Sequence, residues 1–145
     1  AGARLMALDA LLDLRNRIKS DVPLEDFFIA HYDKPAKHLI GYKRSPNAND
    51  YPCICYVPVK SKNKDIANQE LISVIIGVNE KAIVNDVMLG HLRVAEAAEL
   101  LVPIIKEGLI GNNTIIFDDY ETFPDMGERH PFYETELIFK LSRRQ

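Results

Sequence analysis

Apolar residues recur at three- and four-residue spacings over residues 8–19, where Leu8, Leu11, Leu12, Arg15 and Ile18 form one stripe and Asp9, Asp13, Asn16 and Arg17 lie on other faces. That spacing predicts an amphipathic helix. Pro23 ends it or opens a separate short turn, and residues 27–32 (Phe-Phe-Ile-Ala-His-Tyr) read as a strand or irregular extended segment. Residues 34–50 carry Pro35, Gly41, Ser45-Pro46 and an Asn-Ala-Asn-Asp run around the small apolar island Leu39-Ile40, which predicts a long loop.

Residues 51–59 are rich in β-formers, but Pro52 and Pro58 cannot donate ladder hydrogen bonds and belong at strand ends or on an edge. A polar linker over 60–69 leads to residues 70–78, the strongest strand pattern in the chain. Its near-continuous apolar run predicts burial on both faces, or one face buried in an assembly. Leu89, Leu92, Ala95, Leu101, Val102 and Ile105 mark a second long helix over about 86–107, with Pro103 predicting a kink near residues 99–103. A strand over 113–117 follows Gly108 and Gly111. A loop over 120–131 with Pro124, Gly127 and Pro131 then precedes a final strand over 132–141, where Tyr133, Thr135, Leu137, Phe139 and Leu141 alternate with outward residues. The element order implies an α+β fold: a mainly antiparallel sheet of four to five strands with two helices packed on one face.

At 145 residues the chain is sized for one domain. Residues 6–145 read as that domain, and residues 1–5, ahead of Met6, as an expression remnant. With 47% hydrophobic and 27% charged residues the composition is that of a globular chain rather than a disordered one. The net charge of −3 argues against a binder driven by nucleic-acid phosphates, and no apolar run approaches the length that crosses a bilayer. Cys53 and Cys55 are the only cysteines. Two apart in an extended segment, they share a face but are poorly placed to bridge, which suits a reducing compartment.

Chemistry-bearing motifs are sparse. The seven glycines never form a phosphate-cradling spacing, and His31, His38, His91 and His130 stand apart with no pair one helical turn from another. Cys53 and Cys55 offer two thiolates, fewer than a metal site needs, and a cysteine in so apolar a strand reads as filling before it reads as nucleophile. Asp118, Asp119 and Glu121 read as a solvated acidic face before a cation site. These residues imply no cofactor, no metal and no catalytic group.

Charge distribution is the distinctive feature. Residues 34–64 hold seven basic residues against one acidic, a net of +6, and residues 106–136 hold eight acidic against two basic, a net of −6. Two readings follow: the segments neutralise each other within one subunit, or the basic part of one copy meets the acidic part of the next in a head-to-tail contact that closes into a ring.

The succession of an N-terminal helix, a variable loop, the strand Tyr51-Pro52-Cys53-Ile54-Cys55-Tyr56, a polar loop, the strand Ile72-Ser73-Val74-Ile75-Ile76-Gly77-Val78, a long helix and a closing hairpin through His130-Pro131-Phe132-Tyr133 resembles the tail-terminator or tail-completion (neck) proteins of tailed bacteriophages. The resemblance spans the chain from Met6 onward and lies in element order rather than a signature motif. It implies a non-enzymatic virion protein, made in the bacterial host cytoplasm. Such a protein forms a ring, typically hexameric, at the head-proximal end of the tail tube, ends tube polymerisation and joins tail to head. Its implied partners are further copies of itself, the tail tube protein and a head–tail connector, with no membrane and no sequence-specific nucleic acid. The candidate contact residues are Lys60, Lys62 and Lys64 in the polar loop, Asp125, Met126 and Arg129 in the last loop, and Asp118 and Asp119 of the acidic segment. Two other readings stay open: a different phage neck protein, and a small cytoplasmic binding module or enzyme using Cys53, Cys55 and a histidine.

Overall fold

The computed structural model describes residues 2–42, 47–63, 67–106 and 115–144. Two consecutive helices open the chain, α1 (Gly2–Lys19) and α2 (Val22–Tyr32), followed by the short strand β1 (Lys37–Ile40) and a 3-10 turn at Ala48–Asp50. Strands β2 (Cys53–Asn63) and β3 (Ala67–Asn79) lead to a two-stranded hairpin of β4 (Ile83–Val84) and β5 (Val87–Met88), then to helix α3 (Leu89–Lys106). Strands β6 (Ile115–Pro124) and β7 (Phe132–Arg144) close the fold.

The main sheet has the order β1-β2-β3-β7-β6, with every pairing antiparallel except β1 with β2. The period-two pattern sets its two faces. Ile54 and Tyr56 of β2, Ile72, Val74, Ile76 and Val78 of β3, and Tyr133, Leu137, Phe139 and Leu141 of β7 bury one face against Leu11, Leu14 and Ile18 of α1, Leu24 and Phe28 of α2, and Val94, Ala97, Leu101 and Ile105 of α3. The α+β class read from the sequence is the one observed, with a third helix added and one parallel pair making the sheet mixed. The strong β3 run is explained on both sides. Its even-numbered residues enter the helix-covered core, while Ile75 packs on the other face with Tyr51, Cys53, Cys55 and Phe132.

Four expectations are corrected. Residues 27–32 are not extended but finish α2: Asp21 caps this helix through a 3.0 Å bond from the Leu24 amide, Pro23 occupies its first turn, and Leu24 and Phe28 fall one turn apart on its buried face. The stretch 34–50 is not all loop, because Leu39 and Ile40 belong to β1, which adds to β2 in parallel as far as Tyr56. Pro58 lies beyond that pairing, beside a register shift between Pro58 and Lys60. The second long helix begins at Leu89 rather than 86, because Asn85 and Asp86 take positive φ (51° and 63°) and turn the β4–β5 hairpin. Finally, β6 runs on to Pro124 past a register shift between Phe117 and Asp119, so the last loop spans only 125–131 and Asp118, Asp119 and Glu121 are strand residues. Residues 113 and 114, where that strand was expected to begin, lie outside the described residues. Helix α3 continues through Pro103 to Lys106.

Candidate functional site

The sheet face turned away from the helices carries one group of the sequence-predicted residues. Strand register aligns Lys60 of β2, Leu71 of β3, Lys140 of β7 and Asp119 of β6 in one row. Three strand spacings of about 4.8 Å put Lys60 and Asp119 some 14 Å apart across the row. Lys60 and Lys140 flank a shallow depression of about 220 Å³ completed by Gln69 and Leu71. Asp118, at the β6 register shift, accepts a hydrogen bond from the Ser142 hydroxyl, and Asp119 accepts one from the Tyr120 amide at 2.8 Å. The polar loop expected over 60–69 is largely strand, because β2 runs to Asn63 and β3 starts at Ala67: Lys60 and Lys62 are β2 residues, Lys62 opposite Gln69, and Lys64 lies outside the described residues.

Asp125, Met126 and Arg129 sit at the far end of the same sheet. Eight residues of β7 separate Phe132 from Lys140, about 26 Å of extended chain. Two of the three build the loop itself. Asp125 accepts from the Gly127 amide at 2.8 Å and from the Glu134 amide at 2.6 Å, and Arg129 pairs with the Glu134 carboxylate at 2.7 Å. Met126 is 84% exposed. The structure therefore splits the predicted set into a Lys60–Asp119 end and an Asp125–Arg129 end.

Sequence reasoning missed the group that organises this second end. Glu134 also accepts hydrogen bonds from the Tyr42 hydroxyl at 2.7 Å and the Tyr51 hydroxyl at 3.3 Å. Burial, reinforced by the Glu134 carboxylate, pushes the Tyr42 phenol up to about 12 and Tyr51 further in the same direction. Tyr51 stacks on Phe132 at 5.0 Å and covers Cys53. The only sequence signal for this cluster is that Glu134 alternates outward from the core.

Cys53 and Cys55 are free, share the open face as the spacing implied, and are buried beneath Tyr51 and Ile75. The hydrogen bond with Cys55, together with burial, pushes the Cys53 thiol up, and the same bond draws Cys55 down against the effect of burial. The histidines make their contacts elsewhere. His38 bonds Tyr56 on the helix-covered face, His91 and His130 flank the Tyr133 ring, and His31 packs on Phe27. Among the described residues no three His, Cys, Asp or Glu side chains converge as metal ligands, and no helix is long and apolar enough to cross a membrane.

No family model matches the chain, and no curated protein matches it in sequence. Among solved structures it is similar to a chain of the virion of a native gene transfer agent (GTA) particle, with a TM-score of 0.60 at 8% identity, covering 100% of both chains. At that identity the likeness is one of fold.

Proposed function

We propose that this chain is a structural subunit of a phage-like particle, of the tail-terminator type: copies assemble head to tail into a hexameric ring at the head-proximal end of a tail tube, end tube growth and present a surface to the head connector. The observation that carries the reading is the end-to-end fold likeness to a chain of a gene transfer agent virion, in which each chain is covered completely. The arrangement of charge supports it. An exposed row running from Lys60 on β2 through Lys140 on β7 to Asp119 on the edge strand β6 crosses the sheet face that the helices leave open, and charges of opposite sign at its two ends favour one head-to-tail register over others. The thiols of Cys53 and Cys55 pack on the open sheet face, whereas His38, on the neighbouring strand, bonds Tyr56 on the helix-covered face, which disfavours the Cys/His-dependent alternative.

Reversing Lys60, Lys62 and Lys64 to glutamate tests the charged contact. The expected result is loss of the multimer with an unchanged far-UV spectrum and unchanged thermal midpoint. A variant that assembles normally removes this end of β2 from the interface.

A further inference from the structure

The β4–β5 hairpin projects apolar side chains outward. Val84 and Val87 form a cross-strand pair beside the turn, each 50% exposed, and Ile83 is 53% exposed. Apolar side chains concentrated on a two-stranded projection are a familiar mark of a contact surface. Helix α3 begins where the hairpin ends, and the other half of that helix forms one wall of a groove of about 570 Å³. Ala95, Ala98, Val102 and Pro103 line it on the helix side, Tyr120 and Thr122 on the β6 side. Its volume lies in the range of clefts that accept several inserted side chains. Ala95 is already six residues into the helix and Lys106 is 17 residues in, so at 1.5 Å per residue the groove runs about 9–26 Å from the hairpin along the helix axis. The hairpin is thus set apart from the groove of its own subunit.

The charges at the two surfaces correspond. Exposed Lys81 lies at the hairpin base and exposed Asp86, five residues on, in its turn, about 13 Å away along the hairpin axis. On the groove rim, Glu99 and Lys106 are seven residues apart on one face of α3, about 10.5 Å. A hairpin laid along the groove with its base toward Glu99 and its turn toward Lys106 brings Lys81 to Glu99 and Asp86 to Lys106, with Val84 and Val87 over the apolar floor between them. Lys106 already stands over the Tyr120 ring at 5.4 Å, which holds its charge at the groove mouth.

We infer that the occupant of the α3–β6 groove is the β4–β5 hairpin of a second copy of this chain. The two surfaces differ, so the contact is heterologous and propagates from subunit to subunit, closing where the rotation permits. The inference rests on the self-assembly reading and names the contact that carries it.

The test compares native masses by light scattering for the full chain, Val84→Asp/Val87→Asp, Lys81→Glu, Glu99→Lys and Lys81→Glu/Glu99→Lys. The valine pair is solvent-facing, so the double aspartate variant is expected to keep its far-UV spectrum while its subunit dissociation constant rises at least tenfold. Each single charge reversal is expected to weaken association about two- to fivefold, in keeping with rim ion pairs, and the charge-swapped double variant to restore it. A wild-type multimer matched by an equally stable Val84→Asp/Val87→Asp multimer overturns the inference and leaves the ring reading intact. A wild-type chain that is monomeric throughout overturns both. If the double aspartate variant loses its fold, the charge swap decides: absence of weakening in the single variants, or of recovery in the double, overturns the proposed pairing.

Discussion

Tyr133 is wholly buried between two glycines, and the fit leaves no room for a side chain at either. A Cβ on Gly90 would fall 1.9 Å from the Tyr133 ring, and one on Gly127, where φ is +78°, would meet His91 at 2.6 Å. The ring cannot retreat, because its hydroxyl bonds His130 and its edge packs against His91. Overpacking a well-filled core costs about 1–3 kcal/mol, and Gly90→Ala is expected at the upper end of that range, read as a lowered urea midpoint with unchanged slope. A second residue-scale prediction concerns His38. Its Nδ1 lies 2.8 Å from the Tyr56 hydroxyl, and burial, with smaller effects from Lys19 and Arg15, lowers its pKa from 6.5 to about 4. Between those values the unfolded chain binds a proton that the folded chain does not, so this contribution to stability is intact above pH 6.5 and drains away as pH falls toward 4. His38→Gln keeps a polar partner for Tyr56 and is expected to lose less stability than wild type between pH 7.5 and 5.0 in urea titrations. An equal loss would show that His38 does not carry this slope. Neither site is legible in the sequence. Gly90 lies 43 residues from Tyr133 and His38 lies 18 from Tyr56, and only the packing of α3 and β1 on the sheet brings them together.

The elements divide by the kind of signal that encodes them. Strand β7 was readable residue by residue because one of its faces is core and the other open, so burial enforces strict alternation from Tyr133 to Leu141. Helix α2 hides its period for the opposite reason. Phe27, Phe28, Ile29 and Ala30 are contiguous, which hides the one-turn spacing of Leu24 and Phe28, and the cap at Asp21 is the clearer sign. That cap gives an element-scale prediction: Asp21→Ala removes the bond to the Leu24 amide and should cost about 1 kcal/mol, seen as a lower thermal midpoint, whereas Asp21→Ser should recover most of it. The β4–β5 hairpin and β1 escaped notice because two- and four-residue strands are too short to show a period. Asn85-Asp86, the turn of that hairpin, was the available signal. Residues 120–124 read as loop because Pro124 and Gly127 sit near them. Pro124 in fact ends β6 on the sheet edge, a position where a missing amide is tolerated.

For the whole molecule, segregated charge was visible in the sequence, but its spatial meaning was not. Lys60 and Asp119 share a row only because β3 and β7 intervene between their strands, while Asp125 and Arg129, equally prominent in the sequence, are engaged by Glu134 within the chain. In the proposed assembly the basic and acidic row and the hairpin and groove make the contacts, surfaces that differ from one another and so join copies head to tail. A contact with this much rim charge weakens as screening shortens the reach of each charge to about 3 Å at 1 M salt. The most direct measurement is the native mass by light scattering after gel filtration, across a hundredfold range of protein concentration at low and high salt. The account predicts a species near 99 kDa, six times the 16.5 kDa subunit, that dissociates as salt rises or protein is diluted. A 16.5 kDa monomer at every concentration and salt would contradict it.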